Sequence, residues 1–390
     1  MFDFDEMIDR RGTNCSKWDT IRDGFGVSPD EGLAMWVADM DFRAPPEVNA
    51  ALHRWADHGV HGYFGDDQSY KAAITGWMER RHDWKVEPDW ISSVHGIVAG
   101  VAICLQAFSD PGDEVILFTP VYHAFARIIK STGRRVHESP LVLEGGRFQM
   151  DLDALEAALT GREKIVIFCS PHNPGGRIWT VEEQRALAAF CASHNLLLLA
   201  DEIHHDIVLP GRKHITMPNA AAEHMDRTIM LTAATKVFNI AGCLTGNVII
   251  PDPDLRARFT AAHRAVGTSM NRLGALMVEA AYAGGDTWCD ALCAYLEENA
   301  RIFEAGVSTI PGVDVMPLDA TYLAWTDFSR TGMSQAEITE RVRKAAKIAA
   351  NDGPQFGTGG EGCMRFNLGT QRARVEDAVE RLQFAFRDLQ

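Results

Sequence analysis

Four apolar runs in the sequence are each followed closely by a side chain capable of chemistry. Glu114-Val-Ile-Leu-Phe118 leads to Tyr122, and Lys164-Ile-Val-Ile-Phe168 leads to Asn173. Leu196-Leu-Leu-Leu-Ala200 leads to Asp201 and His204, and Thr228-Ile-Met-Leu231 leads to Thr232, Thr235 and Lys236. A lysine forms an imine with an aldehyde when its neutral amine is available. A carboxylate pairs with a protonated ring nitrogen, an amide donates to a ring oxygen, and a flat side chain covers a ring face.

An aromatic ligand with a ring nitrogen, a ring oxygen and an aldehyde uses all four, and pyridoxal phosphate is such a molecule. Each residue alone has a plainer use. A lysine after a strand is ordinarily solvated, an Asp caps turns and helices, Asn173-Pro-Gly-Gly176 is a turn signal, and a tyrosine packs in a core. Their arrival after successive runs is what points to a shared crevice. For a phosphate, Ser92-Ser-Val-His-Gly96-Ile-Val-Ala-Gly100 reads as a turn opening a helix, with free N–H groups facing an anion. The denser Gly357-Thr-Gly-Gly-Glu-Gly362 precedes an apparent strand and is expected to be a loop.

The runs that must position these residues alternate with amphipathic stretches from about residue 90 to 250, the pattern of an α/β sheet. They are uninterrupted, as strands covered on both faces are, and Asn247-Val-Ile-Ile250 adds a fifth. A helix is expected from Glu47, after Pro45-Pro46, and another over 181–193. After about residue 285 the texture predicts longer helices over 287–307 and 334–350, with short strands near Tyr322 to Trp325 and Met364 to Leu368. The expected organisation is an N-terminal arm over 1–45, a large domain over 46–285 and a smaller α+β domain over 286–390.

Composition narrows the function. The 390 residues are 46% hydrophobic and 23% charged, with 38 Lys plus Arg against 53 Asp plus Glu. A net charge of -15 repels polyanions, which argues against nucleic acid and anionic membranes as partners. The eight cysteines are scattered and imply no disulfide framework. The N-terminus has no basic segment with an apolar run, and no run of about 18 apolar residues follows, so a cytoplasmic location is expected. No metal site is expected: Asp201-Glu-Ile-His204-His205-Asp206 is rich in ligand types, but neighbours on an extended segment face opposite ways.

Several motifs resemble the fold-type-I pyridoxal-phosphate enzymes, which have the aspartate-aminotransferase fold. Within them the chain is most similar to the cystathionine β-lyase or cysteine C-S lyase branch, of MalY/PatB type. The motifs are Trp36-Val-Ala-Asp-Met-Asp-Phe42, Tyr122-His-Ala-Phe125, Ser170-Pro-His-Asn-Pro-Gly-Gly-Arg-Ile-Trp179, Asp201-Glu-Ile-His204 and Lys236-Val-Phe-Asn-Ile-Ala-Gly242. The resemblance implies a large domain with a mostly parallel sheet flanked by helices, beside a smaller α+β domain. It assigns Lys236 to the Schiff base with the cofactor, Asp201 to the pyridine nitrogen, Asn173 to the phenolic oxygen, Tyr122 to ring stacking and His204 to a place near that oxygen. The backbone of Ile97 and Val98 and the hydroxyls of Thr232 and Thr235 fall to the phosphate. Arg365, in Cys363-Met-Arg-Phe-Asn-Leu-Gly369, falls to the substrate α-carboxylate.

Tyr63, in His61-Gly-Tyr-Phe64, matches the tyrosine that reaches the neighbouring subunit's phosphate, which implies a homodimer. The implied activity is α,β-elimination from cystathionine or a related cysteine S-conjugate to a thiol, pyruvate and ammonia. Amino transfer is the alternative, and a regulatory protein on the same fold a third. Two positions depart from family patterns. Leu244 stands where many aminotransferases carry a phosphate-binding arginine, which favours the lyase branch, and His95 stands where that branch often has proline.

Overall fold

The five apolar runs become adjacent strands because each can bury both faces at once. The computed structural model describes residues 2–389. Its large sheet has seven strands in the order Ile91–Val94, Gly246–Ile249, Thr228–Thr232, Leu197–Asp201, Glu163–Cys169, Glu114–Thr119 and Arg135–Pro140. Gly246–Ile249 is antiparallel to both neighbours, and the remaining pairings are parallel. Alternation divides each run between two cores. Leu117, Ile167, Leu199 and Leu231 pack with Val101, Phe125 and Phe259 on one face. Phe118, Phe168, Leu198 and Ala200 pack with Leu187, Phe190 and Trp179 on the other.

Helices cover both faces. Val181–Ser193 starts where the sequence places it, because Thr180 and Glu183 form a reciprocal capping box. Ile97–Phe108 begins after Gly96, whose φ of 86° turns the chain sharply from strand to helix. This brings the amides of Ile97 and Val98 to the edge where the parallel strands end.

A second sheet, antiparallel throughout, has the order Asp314–Val315, Leu323–Asp327, Cys363–Asn367 and Asn351–Asp352. Its long companions are the helices Asp286–Val307 and Arg372–Ala385. No helix among the described residues is long and apolar enough to cross a membrane.

The structure corrects the helix expected over 334–350. It runs only through Gln335–Glu340, continues as a wide turn over Arg341–Ala345, and gives way to a strand, Ile348–Ala349, paired with Leu33–Ala34 of the arm. Lys347, with φ of 55°, breaks the helix. Buried strand pairing outweighs the helix propensity of an alanine-rich segment. Two strands of the large sheet have no counterpart among the apolar runs, Ile91–Val94 and Arg135–Pro140. Both are edges of the large sheet, and an edge strand lacks the continuous apolar run of an interior one.

Candidate active site

The parallel strands end along one edge, and the turns beyond them wall a cavity of about 220 Å³. Its lining includes Ile97, Val98, Tyr122, Asn173, Asp201, His204, Thr235 and Lys236. Sequence positions 97 and 236 meet because Ile91–Val94 lies beside Gly246–Ile249, which lies beside Thr228–Thr232. Gly246 is bare for a reason: a Cβ there would stand 2.8 Å from Ile97 Cδ1 and 3.2 Å from the Ile97 nitrogen.

The electrostatics of the cavity follow from burial. Burial pushes the Lys236 amine down to about 8, against the pull of Asp39, so about a tenth of it is neutral at pH 7, far more than for an ordinary lysine. Burial pushes the Asp201 carboxyl up to about 7, opposed by the Ile203 N–H, which donates to Oδ1 at 3.1 Å. His204 is held neutral, well below its usual range, by burial and by Lys236 and Arg365. Its Nδ1 is buried without a hydrogen-bond partner. A hidden carboxylate with one weak donor and an orphaned ring nitrogen need a polar ligand between them. A ligand with a cationic ring nitrogen and a neighbouring oxygen supplies both.

Arg365 stands behind Asn173. Its Nη1 donates to Asn173 Oδ1 at 2.9 Å, and its Nη2 donates to the Trp36 carbonyl at 2.6 Å and Asn351 Oδ1 at 2.7 Å. The guanidinium lies 4.9 Å from the centre of the Phe356 ring. Burial brings it down to about 10, so it remains charged at neutral pH. Tyr122, half-buried, stands edge-on to Phe125.

Three expected residues lie outside this lining: Arg365, Thr232 and Tyr63. The Thr232 hydroxyl does not reach the cavity; it lies 3.1 Å from His205 Nδ1, on the opposite side of the turn. The cause is the register of the strand end, which sends Thr232 away from the side that Asp201 occupies. His205 and Asp206 also face away from Asp201 and His204. Asp206 meets His82 Nε2 at 2.6 Å, His205 Nε2 at 3.2 Å and the Trp77 indole at 2.9 Å, a hydrogen-bonded group that satisfies its carboxylate. Tyr63 is fully exposed and touches nothing in this cavity. Leu244 lies at the rim, 59% exposed.

The aminotransferase class I and II family matches residues 35–382. The chain belongs to this family. Among its relatives in the family is cystathionine β-lyase PatB of Bacillus subtilis (strain 168), 40% identical over 98% of this chain and 99% of that protein. Solved structures of similar proteins include cystalysin from Treponema denticola, which contains a pyridoxal 5'-phosphate cofactor. It has a TM-score of 0.95 at 34% identity, over all of both chains. The PLP-bound C-S lyase from Staphylococcus hominis has a TM-score of 0.91 at 29% identity, over 99% of this chain and 98% of that one.

In this aminotransferase class I and II chain two asparagines, absent from the sequence-based assignments, position the arm at the site. Asn239 binds the arm from below: its Nδ2 donates to the carbonyls of Met40 and Phe42, and its Oδ1 accepts from the Met40 N–H. Asn367 donates to the carbonyls of Val37 and Asp39. These two asparagines hold Ala38 against Lys236, whose Nζ donates to the Ala38 carbonyl at 2.8 Å. Both lie inside motifs quoted for other residues, and an asparagine among apolar neighbours was the available signal.

Proposed function

We propose that this chain is a pyridoxal-phosphate-dependent carbon-sulfur lyase of cystathionine β-lyase type. It cleaves cystathionine or a related cysteine S-conjugate to a thiol, pyruvate and ammonia by α,β-elimination. The observation that carries this reading is the partly neutral Lys236 amine in one cavity with Asp201, in a chain 40% identical to a cystathionine β-lyase along its length.

The residues present fit the cofactor. Asp201 would take its ring nitrogen, Asn173 and His204 the phenolic oxygen, and Tyr122 the ring face. The amides of Ile97 and Val98 and the Thr235 hydroxyl would take the phosphate, at a helix start that packs directly on Gly246. When bound, the cofactor draws off the electron pair left at the substrate α-carbon.

The rest is the work of this chain. Lys236 would hold the cofactor through Nζ, and its amine, when free, would accept the α-proton as a general base. Asp201 stays ionised opposite a positive ring nitrogen, which its burial strengthens. Arg365 swings part of its hydrogen bonding from Asn173, Trp36 and Asn351 to the substrate carboxylate, a planar acceptor suited to its fork. The thiolate would leave into the cavity that Tyr122 helps to wall.

Exposure of Tyr63 supports a homodimer in which it reaches the partner's phosphate site. The two sheets support a large cofactor-binding domain over 46–285 and a smaller one over 286–390, with the arm over 1–45 joining the latter through Leu33–Ala34. Eight unpaired cysteines support a reducing cytoplasm.

The test incubates the purified holoprotein with cystathionine and assays pyruvate, beside a reaction with an amino acid and a keto acid. Pyruvate release at turnover supports elimination. Stoichiometric amino transfer without pyruvate overturns it in favour of an aminotransferase. Lys236→Ala removes the borohydride-reducible cofactor adduct seen by mass spectrometry, and turnover with it.

A further inference from the structure

The Ala38 carbonyl accepts two hydrogen bonds, one from Lys236 Nζ at 2.8 Å and one from the Tyr322 hydroxyl at 3.0 Å. That carbonyl is the sole partner of the Tyr322 hydroxyl among the described residues. Tyr322 is 1% exposed, and its ring stands edge-on to His204 at 6.0 Å between centres. The carbonyl cannot drift, because Asn367 and Asn239 pin the arm on both sides of Ala38.

A neutral amine has two N–H groups and one lone pair. With one N–H placed on Ala38, the lone pair is free to take a proton. A protonated amine is different: an accepting carbonyl favours the cation and raises its pKa. A carbonyl already receiving a phenol O–H has part of its electron density engaged and attracts the ammonium less. Burial holds the phenol in its neutral, donating form.

We propose that Tyr322 is a positioning residue for Lys236: by sharing the Ala38 carbonyl it holds the acceptor on which the freed lysine amine rests and limits that amine's protonation. The inference rests on the reading of Lys236 as the cofactor-bearing base. The other charged and titratable groups facing the amine are Asp39 of the arm, Asp201 at the end of Leu197–Asp201, His204 just after it, and Arg365 of Cys363–Asn367. All of them remain in a Tyr322→Phe variant, so the hydroxyl is the one change.

Two measurements on Tyr322→Phe test this. In the full chain stripped of cofactor, the rate of imine formation with added pyridoxal phosphate is followed by absorbance against pH. The rate reports the neutral fraction of Lys236 independently of turnover, and its midpoint is expected to rise by about half a pH unit. In the holoenzyme, kcat is expected to fall roughly 3- to 10-fold with KM within 2-fold of wild type. The acid limb of kcat moves up by the same half unit.

Replacing Tyr322 with 3-fluorotyrosine, a stronger donor of the same shape, is expected to move both midpoints down. This variant keeps the test alive if the phenylalanine variant folds poorly. Unmoved midpoints in both variants overturn the proposal and leave Tyr322 as a packing residue. Failure of the underlying reading looks different, since Lys236→Ala would then retain the reducible cofactor adduct.

Discussion

Arg365 Nη1 and Asn173 Oδ1 are 2.9 Å apart, so a residue of the small sheet is bonded to the turn that follows Glu163–Cys169 of the large one. The site is therefore assembled across 192 positions of sequence by one charge-assisted bond. The same guanidinium binds Asn351 and the Trp36 carbonyl, so it is held in orientation before any substrate arrives.

Arg365→Lys keeps the charge and loses the fork. A single ammonium cannot reach Asn173, Asn351 and Trp36 while also gripping a carboxylate in two places. Steady-state kinetics with cystathionine are expected to show KM rising roughly 10- to 100-fold, with kcat changing far less.

Asp201→Asn separates function from stability. Its carboxyl, raised to about 7 in the folded protein from 3.8, binds a proton more tightly folded than unfolded. In the cofactor-free protein this contribution is fully present below about pH 4 and is lost as pH rises through about 7. Asparagine carries no such dependence. At pH 8 the cofactor-free variant is expected to melt a few degrees higher than wild type, while holoenzyme turnover falls on the order of 100-fold or more. Differential scanning calorimetry across pH 4 to 8, beside a pyruvate assay, checks both halves.

Gly246→Ala tests the phosphate cradle. Its Cβ would crowd Ile97 Cδ1 at 2.8 Å and the carbonyl carbon of Gly96 at 3.1 Å, pushing the start of the helix Ile97–Phe108 outward. Fluorescence titration is expected to give a cofactor Kd raised about 10-fold, with far-ultraviolet circular dichroism unchanged.

Asn239→Ala removes three bonds from the arm at once, to Met40 N–H, Met40 carbonyl and Phe42 carbonyl. Leaving those groups unpaired is expected to cost about 2–3 kcal/mol, read as a lower midpoint in urea. Because the arm carries Ala38, kcat is expected to fall as well.

The sequence by itself determined the strands that bear chemistry, since runs such as Leu196 to Ala200 bury on both faces and have no other stable use. It also determined that Tyr122, Asn173, Asp201 and Lys236 follow those runs, and hence the kind of ligand they suit. Local pattern carries this much because a strand end and the turn after it are adjacent in the chain. Tertiary structure alone decided that the Thr232 hydroxyl turns to His205, that 348–349 is a strand, and that Tyr322 and Lys236 share the Ala38 carbonyl. Each depends on which distant segment lies opposite: the His205 imidazole for Thr232, Leu33–Ala34 for Ile348–Ala349, the pinned arm for Ala38. Contacts of that kind are set by packing across the whole fold, and spacing along the chain carries no trace of them.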